Sequence, residues 1–194
     1  MDDLQVYIQE IKLHLIKTHA EVLNWFDKAD TIKNYQPKNG GWSISEILEH
    51  IALTSHFLLI LIDKGTSKAI KNVQNRSLEK LITGFNDDLE KLDEIGITQS
   101  FEWIRPEHMK PKGVKSELEI KEILINQLNI CLNQLEKLKK GEGLLYKTTM
   151  TVNQLGKLTV YEYIYFLSKH AERHIQQMMN NEAEMAKLNQ SISN

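Results

Sequence analysis

The chain has 194 residues, 41% of them hydrophobic and 26% charged, with a formal net charge of -2 and a sequence pI near 6.4. That length and apolar share can bury one good-sized core and predict a single domain over residues 1–194, while the balanced charge lacks the polybasic surface of a nucleic-acid binder. The opening "MDDLQVYIQE" is acidic where a signal peptide is basic, and the longest apolar run, "IALTSHFLLILI", falls short of the roughly 18 residues of a membrane span, so the expectation is a cytoplasmic protein with no membrane partner.

Few Pro and Gly against abundant Leu, Ile, Lys and Glu favour helix. The first helix is predicted from Asp2 or Asp3 to Phe26, with Leu4, Ile8, Ile11, Leu15, Val22 and Phe26 on one stripe. It stops before "KADTIKNYQPKNGG", whose Pro37, Gly40 and Gly41 forbid continuation. The second begins at "SISE", where Ser43 caps and Glu46 reaches back in a capping box, and should run to about Asp63, ahead of Gly65.

Residues 77–95 read as one helix or two short ones, weak at Gly84 and stopped at Gly96. The loop "ITQSFEWIRPEHMKPKG" follows, too rich in aromatic and apolar residues for a floppy linker. The third main helix starts at Ser116, boxed by Glu119, and carries Ile120, Ile123, Leu124, Leu128, Cys131, Leu135 and Leu138. Cys131, the single cysteine, excludes an intrachain disulfide and reads as a small core residue. After "KKGEGLLYKTTMTVNQLGKL" the fourth main helix begins at Thr159, with Glu162 three residues on, and frays at "LNQSISN". Three capping boxes agree with three apolar stripes, which predicts an all-α four-helix bundle with a short extra helical segment between its second and third main helices.

The fourth helix contains "FLSKHAERHIQQMM", with His170 and His174 one turn apart. Four residues advance a helix by about 400°, so both rings lie on the stripe of Tyr163, Phe166, Leu167, Gln177 and Met178. Burying two imidazoles without partners would cost a few kcal/mol, and His50 on the second helix, near the face of Ile47, Ile51 and Thr54, is a third candidate. Three neutral imidazoles can hold a divalent ion and leave coordination positions open. Spacing alone nevertheless favours ordinary core or surface histidines. His56, rotated by about 240° from His50, cannot share its face, and reads as a polar tip at a helix boundary; His14, His19 and His108 have no companion at ligand spacing and read as solvated or incidental.

"GWSISEILEHI" resembles the second-helix signature of the DinB superfamily of bacterial four-helix proteins, and "LGKLTVYEYIYFLSKHAERHIQQM" is similar to its last-helix signature. The resemblance implies a metal triad of His50, His170 and His174, with Gln177 at the trailing polar position and Arg173 where an Arg commonly precedes the second ligand. Trp42 matches the aromatic opening the second helix and reads as packing, with a pocket wall as the alternative. Glu46 reads first as a cap and second as an acceptor for the free ring nitrogen of His50. Characterised branches of the superfamily are thiol-dependent transferases, which implies a bound low-molecular-weight thiol such as bacillithiol or mycothiol, an electrophilic small-molecule partner, and zinc as the expected ion, with nickel or iron as alternatives. By stripe position Tyr163 is the tyrosine expected to reach the pocket. Two other readings stand beside this one. Metal-dependent hydrolysis would need a general base that no residue declares, since Glu172 faces away from the histidine pair. A non-enzymatic bundle would act through a partner or a bound apolar ligand. A homodimer through an exposed helix face is compatible with either.

Overall fold

The computed structural model describes residues 3–74, 78–85, 89–98, 100–101 and 106–193. Its long helices are α1 (Asp3–Asn24), α3 (Ile44–Asn72), α6 (Glu117–Lys137) and α7 (Val160–Ser193). Between them lie the short helices α2 (Asp30–Lys33), α4 (Leu78–Thr83) and α5 (Glu90–Gly96), and a hairpin of β1 (Lys147–Met150) and β2 (Gly156–Thr159). The all-α bundle is as the sequence implies. Parts of two predicted segments, residues 77 and 86–88 of the middle helical stretch and 99 and 102–105 of the aromatic loop, lie outside the described residues.

All three capping boxes form. The Ser43 and Ser116 hydroxyls accept from the Glu46 and Glu119 amides, and each glutamate accepts from its serine's own amide. Thr159 and Glu162 make the same reciprocal pair at 3.2 and 2.7 Å, so three orphaned helix N-termini are satisfied locally.

Four boundaries differ from the expectation. The first helix ends at Asn24 and gives way to a 3₁₀ turn over Trp25–Asp27. α3 passes Asp63 and runs to Asn72, because Gly65 lies buried inside the helix and is not a stop: a Cβ there would stand 3.0 Å from Val160 Cγ2, so the missing side chain lets α3 approach the start of α7. The stretch read as a loop before the last helix contains the hairpin, with Lys147 opposite Thr159 and Met150 opposite Gly156. The terminal "LNQSISN" stays helical through Ser193.

Two apolar clusters fix the direction of each helix. One gathers Leu4–Leu15 of α1, Leu58–Ala69 of α3, Cys131 and Leu135 of α6, and Val160–Leu167 of α7. The other gathers Val22 of α1, Ile44–Ala52 of α3, Ile120 and Leu124 of α6, and Ala171–Met178 of α7. α1 and α7 therefore run one way, and α3 and α6 the other. Because α3 and α6 are parallel, the chain must return along the bundle between them, and it does so through α4 and α5; Leu92 and Ile95 of α5 are fully buried in the first cluster.

On every long helix the change from one cluster to the other is marked by buried polar residues: Thr18 and His19 on α1, Thr54 and Ser55 on α3, Gln127 on α6, and Ser168 and His170 on α7. His19 is thus a core histidine, contrary to the solvated reading. It is 2% exposed and donates from Nδ1 to the Leu15 carbonyl at 3.0 Å. His14 also differs, being half-buried with Nε2 3.4 Å from Glu172 and its ring 5.0 Å from that of Tyr165. His56 is exposed in mid-helix, since α3 has no boundary there, and His108 is exposed with its ring 4.4 Å from Phe57.

α3 is the one described helix long and apolar enough to cross a membrane, and 56% of its most apolar window is buried inside the bundle, as befits a core helix.

Candidate metal centre

Among the described residues, one cluster at and beside this polar layer has the chemistry of a metal site. His50 comes from the first turns of α3, and His170 and His174 from successive turns of α7. They are 4, 5 and 7% exposed, and one nitrogen of each lies within 4.8 Å of the others. The ring of His50 has its centroid 5.3 Å from that of His170 and 4.8 Å from that of His174.

Ring orientation is fixed from outside the cluster. His50 Nδ1 lies 2.7 Å from the Met109 carbonyl, which only accepts, so Nδ1 carries the proton and Nε2 the lone pair. His174 Nδ1 lies 3.0 Å from Gln177 Oε1, which sets the same tautomer. The Nε2 atoms of His170 and His174 are 3.2 Å apart. Two nitrogens each about 2.0–2.1 Å from one tetrahedral ion stand about 3.3 Å apart, so the α7 pair already has the spacing of two ligands to a single ion. At His170, burial first and then the neighbouring imidazoles of His174 and His50 hold the pKa well below the ordinary 6.5, which keeps the ring neutral at physiological pH. The donor set fits a divalent ion: three imidazoles, two of them with tautomers set by outside partners, and no carboxylate among them.

The remaining expected residues divide. Gln177 reaches the site through His174. Trp42 packs its indole 4.7 Å from the His50 ring and forms a wall of the cluster; its carbonyl accepts from Asn181 Nδ2 at 2.8 Å, tying α7 to the start of α3. Glu46 does not serve His50: its carboxylate accepts from the Ser43 amide and from Gln36 Nε2, and the ring nitrogen of His50 takes Met109 instead. Tyr163 is also not brought to the triad. It sits two turns before His170 and donates its hydroxyl to Thr149 O at 2.9 Å, which pins the hairpin to α7. Arg173 donates to the Ile97 carbonyl at the end of α5. Glu172 pairs with Lys169 at 2.7 Å. A groove of about 940 Å³ between α3 and α6, with Leu53, Ile60, Ile123 and Ile130 in its walls, has none of the three histidines in its lining.

Sequence reasoning gave no site role to two contributors, although it placed the first of them near the face of His50. Thr54 lies one turn beyond His50 with its hydroxyl 3.5 Å from Nε2, and its i+4 spacing was a usable signal. Met109 acts through a backbone carbonyl, for which residue type gives no signal.

A bundle with a three-nitrogen site between its second and last long helices defines a class of metal-binding helical proteins. The chain matches the sequence model of the DinB superfamily over residues 14–178. It belongs to that superfamily, and its buried triad fits a metal-binding member. No curated protein and no solved structure matches it significantly.

Proposed function

We propose that this protein is a cytoplasmic metal-dependent transferase that joins a low-molecular-weight thiol to an electrophilic small molecule, with His50, His170 and His174 holding one divalent ion, zinc before nickel or iron. The observation that carries this reading is the convergence of three buried imidazoles with the 3.2 Å Nε2 separation on α7. A divalent ion held by the neutral nitrogens of His50, His170 and His174 would supply Lewis acidity that favours the thiolate form of a thiol near neutral pH. The chain's own residues hold that arrangement: Met109 and Gln177 fix the tautomers, and Trp42 covers one side of His50. The sulfur forms a C–S bond with the electrophile, its proton goes to solvent, and the bonding pair leaves with the departing group.

Two observations favour transfer over hydrolysis or a protein thiol. The carboxylates nearest the triad in sequence, Glu46, Glu49 and Glu172, are each engaged elsewhere, so an attacking water has no evident base. Cys131 is fully buried, and burial pushes its thiol up to about 12, so the nucleophilic sulfur has to come from a co-substrate.

The test is elemental analysis of tag-free protein, native and with His50→Ala or His174→Ala, followed by turnover of a chromogenic electrophile with and without added thiol. One ion per chain, lost in both variants, with product only when thiol is present, is the expected result. Product without thiol would select hydrolysis, and metal without any turnover would select a binding protein. A native chain that takes up no zinc would overturn the reading.

A further inference from the structure

Residues 106–113 form a strap across α3, attached on both sides of the His50 backbone. At one end a single 3₁₀ turn, Glu107–Met109, presents the Met109 carbonyl to His50 Nδ1 at 2.7 Å. At the other end the Lys112 and Gly113 amides donate to the same oxygen of Glu49, at 3.1 and 2.8 Å. Glu49 is only 6% exposed, and a carboxylate so buried is tolerated only when hydrogen-bonded. Gly113 itself is left-handed, at φ +64°, a conformation that glycine adopts without strain, so the strap turns immediately after the second of these amides. Adjacent helical residues point about 100° apart, so Glu49 and His50 grip the strap from two faces of α3.

We propose that Glu49 is a positioning residue for the metal centre: by anchoring the strap at Lys112 and Gly113 it holds the Met109 carbonyl against His50 and so sets that ligand's tautomer and aim. This rests on the reading that the triad binds a metal. Glu49 touches neither ion nor substrate; it acts through four residues of strap. Outer partners that orient a ligating histidine typically change metal affinity about 10–100-fold when removed, and the same range applies here.

Cobalt(II) gives a readout independent of activity, because its visible spectrum reports coordination geometry. Native protein, Glu49→Ala, Glu49→Gln and Gly113→Ala are titrated with cobalt against a competing chelator, and the metal-free forms are melted in parallel. The expected result is a loss of about 10–100-fold in cobalt affinity with an altered spectrum in Glu49→Ala, and substantial recovery in Glu49→Gln, whose amide oxygen still accepts. Gly113→Ala meets nothing within 4 Å of its new Cβ, so it strains only the strap's backbone; it weakens cobalt in the same direction and serves if Glu49→Ala does not fold. A merely structural role would lower the melting temperature and leave affinity and spectrum as in the native chain. That outcome overturns the proposal alone, whereas a native chain with no cobalt spectrum overturns the metal reading and this proposal with it.

Discussion

His174 and Gln177 are joined on α7 by a 3.0 Å contact between Nδ1 and Oε1, so the second histidine of the pair is oriented by its own helix. His50 depends instead on a carbonyl carried by a distant strap. One half of the centre is thus built locally and the other by tertiary contact.

The local half can be weakened without disturbing the bundle. Gln177→Leu removes the acceptor from a half-buried position, and zinc affinity measured by chelator competition should fall about tenfold with little change in the melting temperature of the metal-free protein. Unchanged affinity would mean that the Gln177 amide does not orient His174.

Acid should destabilise the fold through His19. Burial lowers its pKa below 6.5, and the Leu15 carbonyl only partly opposes this. The unfolded chain therefore binds the proton more readily, so His19 leaves stability intact above about pH 6.5 and subtracts from it as pH falls through that value. Urea midpoints at pH 7.5 and 5.5 should show a loss, at most about 1.4 kcal/mol per pH unit from this group, that is smaller in His19→Leu. Equal pH slopes in both proteins would contradict it.

Gly65 is required by packing. Gly65→Val puts branched atoms where a bare Cβ already comes within 3.0 Å of Val160 Cγ2, and should cost about 1–3 kcal/mol. Adding Val160→Ala should recover part of that loss, with an interaction term of at least about 0.5 kcal/mol in a double-mutant cycle. Strict additivity would separate the two residues.

Tyr161 closes the end of the bundle opposite the triad. It is fully buried, donates its hydroxyl to the Leu138 carbonyl and accepts from the Gly143 amide at 3.2 Å. Tyr161→Phe strands that amide and should lower stability by about 1–3 kcal/mol in urea titration. Its zinc stoichiometry should stay native, because Tyr161 lies nine residues before His170.

Ser43, Ser116 and Thr159 were legible as helix starts because a capping box spans only three residues and depends on nothing farther away. His170 and His174 were legible as a pair for the same reason, since helical rotation alone puts them on one face. Gly65 misled because glycine's local preference says stop, while its neighbour Val160 lies on another helix. His19 misled because a lone histidine carries no pattern, and Tyr163 because its stripe position did not reveal that the hairpin would take its hydroxyl.

The sequence by itself determined the helices, their caps, the apolar faces and the i, i+4 histidine pair, because each is set by periodicities of a few residues that operate along one helix. Only the tertiary structure decided the parallel course of α3 and α6, the approach of His50 to α7, and the strap whose Met109 carbonyl orients it. Those features depend on which apolar faces pair and on a backbone atom that every residue possesses, so no side-chain pattern encodes them directly.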